Sequence, residues 1–177
     1  TAEWKEKIRI HKMNVENAKD LIGYDSLRLF DFPDNRFDSV DLIDLIKVIE
    51  KEKKEFKVET IFTHHGGDLN IDHQITHRAV MTACRPQPNF CVKEIYTFEI
   101  LSASHWQSMS MGGLFSPNYF VDVSDFINKK IDALRCYASE MRKYPHARSY
   151  EALKSLSKYR GSSVGVKDAE AFCIERL

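Results

Sequence analysis

Thr63-His64-His65-Gly66-Gly67-Asp68-Leu69-Asn70-Ile71-Asp72-His73-Gln74-Ile75-Thr76-His77 decides how the rest of this sequence is read. It gathers four of the seven histidines, two carboxylates and a Gly-Gly pair directly after an apolar run, residues 58–62, that reads as a buried strand. A strand that enters a short glycine-containing loop and then a helix sets that loop at the carboxyl end of a sheet. There α/β folds collect their ligands.

Downstream, the spacing predicts a helix over residues 71–83, closed by Arg85-Pro86-Gln87-Pro88, and a strand over 93–100. Upstream, Ser39 suits the N-cap of a helix whose apolar positions from Val40 to Ile49 form a broad buried face, with a mixed-charge end at residues 50–55. Strands alternating with helices in this order imply a largely parallel sheet with right-handed crossovers. The first 22 residues show helical periodicity from Glu3 and end at Gly23, and residues 27–32 alternate like a strand before the turn at Pro33-Asp34-Asn35. Residues 102–118 are rich in Ser, Met and Gly, hold His105-Trp106, and read as a long loop of functional type. After it come a short strand at 119–123, a helix from Ser124 or Asp125 to about Met141, a break at Pro145, a helix from about Ser149 to Tyr159, a turn at 161–163 and a last strand at 171–174. With no repeat and no low-complexity linker, the reading is one domain over residues 1–177.

Composition narrows the function classes. Basic and acidic residues balance at 26 each, so no global field draws the chain to nucleic acid or to an anionic membrane. No apolar run approaches the ~20 residues of a membrane span, and the first residues lack a signal-peptide core, so the expectation is a cytoplasmic protein. Cys84, Cys91, Cys136 and Cys173 are scattered without metal or redox spacing, which suits buried thiols in a reducing compartment. A homo-oligomer is compatible with all of this.

Two readings of the histidine cluster stand side by side. Imidazole is a preferred ligand for zinc and its neighbours, and His73 and His77 at i and i+4 share a helix face with Asp72 at its start. The alternative is a set of hydrogen-bonded histidines at a helix start, since a zincin would carry Glu where Gln74 stands. Gly66-Gly67 would let the backbone approach a ligand closely, and Asp68, Asn70 and Asp72 would offer oxygens and an amide beside it.

At these residues the sequence resembles a known family. The run from Thr63 through Gly67-Asp68-Leu69-Asn70-Ile71-Asp72-His73, with Arg78-Ala79-Val80 and Ala83-Cys84-Arg85-Pro86 after it, is similar to the second motif of the PIG-L, or LmbE-like, N-acetylglucosaminyl deacetylases. Phe32-Pro33-Asp34-Asn35 with Phe37-Asp38 resembles that family's strand-end turn, and Ser102-Ala103-Ser104-His105-Trp106 its Ser-Ser-Thr-x-Trp loop. Residues 133–140, Pro145-His146-Ala147-Arg148-Ser149, Tyr159-Arg160-Gly161 and 165–172 are similar to its closing helices and last strand. The resemblance implies a three-layer Rossmann-like α/β fold with a mostly parallel sheet. It implies also a bound zinc or other divalent metal ion, and hydrolysis of the N-acetyl group of an N-acetylglucosamine-type sugar by metal-activated water. His73 matches the metal-ligating histidine and Asp72 the carboxylate before it. Asn70 stands where many members have a histidine that stabilises the oxyanion or protonates the amine. An amide can donate to an oxyanion but cannot act as an acid near neutral pH, so His64 or His65 is expected to carry the proton. Asp68, Trp106 and Arg85 are candidates for substrate contact.

The family's first strand, first helix and His-Pro-Asp-Asp loop, which supply two further ligands and the base, have no counterpart in this sequence. Such a segment is expected upstream of Thr1 or on a separate chain. The rival expectation is a degenerate, catalytically inactive remnant of the fold that acts as a carbohydrate-binding or interaction domain.

Overall fold

The computed structural model describes residues 2–88, 92–110 and 113–177. Its elements in order are α1 (Ala2–Ile22), a single 3-10 turn (Phe37–Ser39), α2 (Leu42–Phe56), β1 (Thr60–His64), α3 (Ile71–Ala83), β2 (Glu94–Phe98), β3 (Tyr119–Asp122), α4 (Ile127–Arg135), α5 (Tyr150–Ser162) and β4 (Ala169–Arg176). They fall into two compact units, one of residues 31–120 with 171–177 and one of residues 1–30 with 121–170.

The first of these units holds α2, β1, α3, β2 and most of β4. β1 and β2 pair in parallel from Thr60↔Glu94 to His64↔Phe98, with α3 between them in the chain. β4 runs against β2, from Phe98↔Phe172 to Ile95↔Arg176, with a bulge between Ile95 and Tyr96. The sheet order is β1-β2-β4-β3. Along β3 the backbone partner falls from Phe172 at Asn118 to Asp168 at Val123, the sense of an antiparallel pair. So β4 is the strand that opposes the rest, and the sheet is mostly but not wholly parallel.

Leu45 and Ile46 of α2, Ala79, Val80 and Ala83 of α3, Cys84, Val92 and Ile95 of β2 form one buried cluster. The two helices meet on their apolar stripes, and their ends are pinned together. α2 stops at Lys57, whose left-handed backbone (φ 50°) turns its N–H to the Lys53 carbonyl, while the Lys53 ammonium donates to the Ala83 carbonyl at the end of α3. A cation there complements the negative end of α3.

In the other unit α1 packs on α4, and α4 on α5. Gly23 ends α1 in the left-handed conformation (φ 88°), its N–H on the Lys19 carbonyl. Ser149 caps α5, its hydroxyl accepting the Ala152 N–H. Asp168 is buried and accepts from the Ser157 hydroxyl at 2.7 Å. Among the described residues no helix is long and apolar enough to cross a membrane.

Several elements differ from the sequence reading. Residues 27–32 form no strand of the sheet, and Leu29 and Phe30 remain about half exposed (45% and 47%). Alternation supplies one apolar face, but a strand also needs a neighbouring edge to pair with. Ser39 closes the 3-10 turn rather than capping α2, which Asp41 precedes in extended conformation. α4 ends at Arg135 because the chain then tightens into turns, with Cys136, Tyr137 and Glu140 N–H groups bonding three residues back. Gly161 belongs to α5, and β4 is longer than expected at both ends. Cys91 lies outside the described residues. Cys84 is buried and neither Cys136 nor Cys173 is in a disulfide.

Candidate active site

The histidine-rich stretch spans the end of β1, a turn, and the start of α3. Asn70 is the N-cap: its Oδ1 accepts the Asp72 N–H at 2.8 Å, which fixes where the helix begins. His73 then lies in the first turn and faces back to the β1 end. Its Nδ1 bonds Asp68 Oδ2 at 2.8 Å. Asp68 is fully buried, and its other oxygen accepts from the Ser104 hydroxyl at 2.5 Å. Ser104 in turn accepts the Ile100 N–H, and the Asp68 carbonyl accepts from the Gln74 amide. A carboxylate only accepts, so the hydrogen sits on Nδ1 and the lone pair on Nε2.

That arrangement is how proteins prepare a histidine to hold a metal: the inner nitrogen is tied to a carboxylate and the outer one is left as a donor. The chemistry of His73 therefore fits one ligand of a divalent ion. The described residues do not complete a set, for among them no group of three His, Cys, Asp or Glu side chains is placed to hold a metal.

His64, the last residue of β1, stacks on His73 with ring centroids 4.2 Å apart and tilts against Phe98 at 5.0 Å. Burial, and after it the adjoining His73 ring, pushes its pKa down to about 4. Its Nδ1 is buried without a hydrogen-bond partner among the described residues. His65 points elsewhere, with Nε2 on the Gly113 carbonyl at 2.9 Å and its ring edge-on to Phe115. The two rings thus sit apart, His64 against His73 and His65 donating its outer nitrogen's hydrogen to a peptide carbonyl.

Asp72 does not orient His73; Asp68 does. The Asp72 carboxylate accepts the backbone N–H groups of Asn35 (2.6 Å) and Phe37 (2.9 Å), so it staples the 33–39 turn to the start of α3. Asn70 joins the same staple by donating from Nδ2 to Asn35 Oδ1 at 3.1 Å, leaving one of its two amide hydrogens for any other acceptor. The close approaches at the glycine pair are to protein: a Cβ at Gly66 would lie 2.8 Å from the His77 ring and one at Gly67 2.3 Å from the Gly113 carbonyl. His77 Nδ1 bonds the His64 carbonyl at 3.1 Å. Trp106 is half exposed (52%) and follows Ser104 by two residues. Arg85 is not brought to the cluster. It lies beyond the far end of α3, about 20 Å along the axis from Asn70 at ~1.5 Å per residue, and its Nε donates to the Thr82 carbonyl.

Sequence reasoning missed Ser104 and Asn35 as parts of this site. Both are small polar residues remote in sequence from the histidines, and only the docking of two turns on the β1–α3 junction joins them. The Leu69 N–H to the Ala103 carbonyl at 3.3 Å is the backbone trace of one such docking.

The fold matches a conserved protein, TT1542, from Thermus thermophilus with a TM-score of 0.76 at 20% identity, covering 94% of this chain and 73% of that one. It also matches an N,N'-diacetylchitobiose deacetylase from Pyrococcus horikoshii with a TM-score of 0.74 at 17% identity, covering 94% of this chain and 63% of that one. At such identities the likeness is one of fold. Residues 1–84, which include the whole β1–α3 junction, match the model of the PIG-L family, described as GlcNAc-PI de-N-acetylase.

Proposed function

We propose that this chain is a single PIG-L-type domain that removes the N-acetyl group from an N-acetylglucosamine-type amino sugar or its conjugate. One observation carries the reading: in the stretch that matches the family model, His73 has its inner nitrogen bonded to a fully buried carboxylate and its outer nitrogen free to donate. The P. horikoshii chitobiose deacetylase, which has the same fold, is named for this class of reaction.

When bound, a divalent ion polarises the amide carbonyl and lowers the pKa of water. His73 would be this chain's contribution to holding it, with the remaining ligands supplied from outside the described residues. Asp68 and Ser104 keep the His73 ring in one tautomer and one orientation. Asn70 has one amide hydrogen to offer a developing oxyanion, and Trp106 offers an aromatic face to a sugar ring. The small-molecule substrate, the cytoplasmic setting and any homo-oligomer belong to the same proposal.

The test is His73→Ala in the complete protein. Both zinc content and acetate release from N-acetylglucosamine conjugates should be lost, and normal activity at normal metal loading would sink the assignment. A second reading is a carbohydrate-binding or interaction domain without catalysis. It predicts sugar binding by calorimetry with no acetate released by the wild-type protein.

A further inference from the structure

Residues 113–118, which lead into β3, are tied down at both ends, and both ties lie at one level of the sheet. His64 pairs with Phe98 across β1 and β2, and Phe98 with Phe172 across β2 and β4. At one end His65, the residue after β1, holds the Gly113 carbonyl at 2.9 Å from Nε2. A carbonyl only accepts, so Nε2 is the donor. The same ring meets Phe115 almost at right angles (82°), with centroids 5.4 Å apart. At the other end the Asn118 N–H donates to the Phe172 carbonyl at 3.0 Å, and Asn118 Oδ1 accepts the Ile174 N–H at 2.9 Å.

The end of β2 lies between these two ties, because the sheet order is β1-β2-β4-β3. From β1 to β4 is two strand spacings, ~10 Å, and the three steps from Phe115 to Asn118 cover ~10 Å as extended chain. Phe115 and Pro117 are half-buried while Leu114, Ser116 and Asn118 are exposed, the alternation of an extended segment. The β1–α3 turn is shaped to receive it. A Cβ at Gly67 would run into the Gly113 carbonyl, and the Asp68 N–H closes the turn on the His65 carbonyl at 3.2 Å. Through Asp68 and Leu69 the same turn holds Ser104 and Ala103, and Asp68 holds His73.

We infer that residues 113–118 are a strap that walls the amino-sugar site along the carboxyl edge of the sheet, and that His65 is the positioning residue that latches it. This rests on the deacetylase reading. Ligands of α/β folds lie along that edge, and the strap crosses it beside the His64 ring that stacks on His73. A fixed wall meets the bound sugar before and during the reaction alike. Loosening it therefore raises KM and leaves kcat in place.

The experiment uses the complete zinc-loaded protein as wild type, His65→Phe, His65→Gln and Gly67→Ala. His65→Phe keeps a ring for Phe115 and removes the donor; His65→Gln keeps a donor of similar reach. Loss of one neutral hydrogen bond corresponds to roughly 2–10-fold, and KM for N-acetylglucosamine conjugates should rise by about that factor in His65→Phe. Its kcat and zinc content should stay at wild-type values, whereas a general loss of structure lowers both. His65→Gln should return KM toward wild type, and Gly67→Ala, which pushes the Gly113 carbonyl away, should raise it again. The latch itself is read without catalysis, by NMR coupling across the hydrogen bond from His65 Nε2 to the Gly113 carbonyl in the metal-free wild-type protein. A fall in kcat at unchanged KM in His65→Phe would make the role of His65 chemical and overturn the inference. So would a wild-type KM in His65→Phe, a His65→Gln no better than His65→Phe, or no coupling to Gly113. A wild-type protein that releases no acetate would instead overturn the deacetylase reading and the wall with it, while the coupling still decides the latch.

Discussion

Replacing Asp72 with Ala separates a catalytic duty from a scaffolding one. In the structure this carboxylate accepts two backbone N–H groups, Asn35 at 2.6 Å and Phe37 at 2.9 Å, while the His73 ring is bonded to Asp68. A hydrogen bond to a charged group contributes about 1.5–3 kcal/mol, and the lower end suits Asn35, which water can reach once the carboxylate is gone. Phe37 is half-buried, so its N–H loses more. The negative charge in the first turn of α3 adds about 0.5 kcal/mol through the helix dipole. The sum is about 3–4 kcal/mol for Asp72→Ala. Asp72→Asn keeps one accepting oxygen but turns an NH2 toward the second donor, and should lose about 2 kcal/mol. Amide hydrogen exchange reads this locally, without assuming that the two units unfold together. At about 2 kcal/mol each, the Asn35 and Phe37 amides should exchange roughly 30-fold faster in Asp72→Ala, with about 1.36 kcal/mol for each factor of ten. Wild-type exchange rates at both amides, combined with lost activity, would refute the staple and restore Asp72 to the chemistry.

Other expectations follow from the same geometry. His64 has its pKa pushed down to about 4 by burial, while the unfolded chain keeps the ordinary value near ~6.5. Between these values the unfolded state binds more protons, so stability must fall as pH drops from about 6.5 to 4, by on the order of 3 kcal/mol in the metal-free protein. Urea midpoints in the presence of a chelator should show this loss in the wild type and a flatter pH dependence in His64→Gln; identical curves would contradict it. Gly161→Ala should destabilise the α1–α4–α5 unit, because the added methyl would sit 2.7 Å from the Val166 carbonyl and 2.9 Å from the Asp168 N–H. The strain of about 1–3 kcal/mol exceeds the ~1 kcal/mol gained in helix propensity, and a raised melting temperature would show that the 166–168 turn moves freely. Ser104→Ala should weaken zinc binding without unfolding the protein, within the roughly 10–100-fold range typical of groups behind a ligand. Calorimetric zinc titration gives the answer, and an unchanged affinity would remove Ser104 from the His73 support.

The local features were legible in the sequence because they are properties of neighbouring residues. The strand, turn and helix through the histidine cluster follow from an apolar run, a Gly-Gly pair and Asn70 ahead of a helical stripe, and the structure has them at Thr60–His64 and Ile71–Ala83. The family resemblance was read from that run together with the 32–38 turn, the 102–106 loop and stretches between residues 133 and 172, and the PIG-L match over residues 1–84 contains the first two of these. Residues 27–32 show the limit: alternation is local, but a strand exists only where another edge accepts it, and here none of the sheet's strands is built from them.

Tertiary structure alone decided which carboxylate serves which partner. Asp68 and Asp72 look equivalent in sequence, both acidic and both near His73. Packing buries Asp68 fully against Ser104 and His73 and turns Asp72 toward the 33–39 turn, because the 100–104 and 33–39 segments dock separately on the α3 start. The same docking carried His105 to Glu99, a pairing six residues apart that no helical or strand period announces. Local sequence determines which groups a segment can offer; the burial and hydrogen-bond partners that set each group's tautomer, charge and direction come from chain segments distant in sequence.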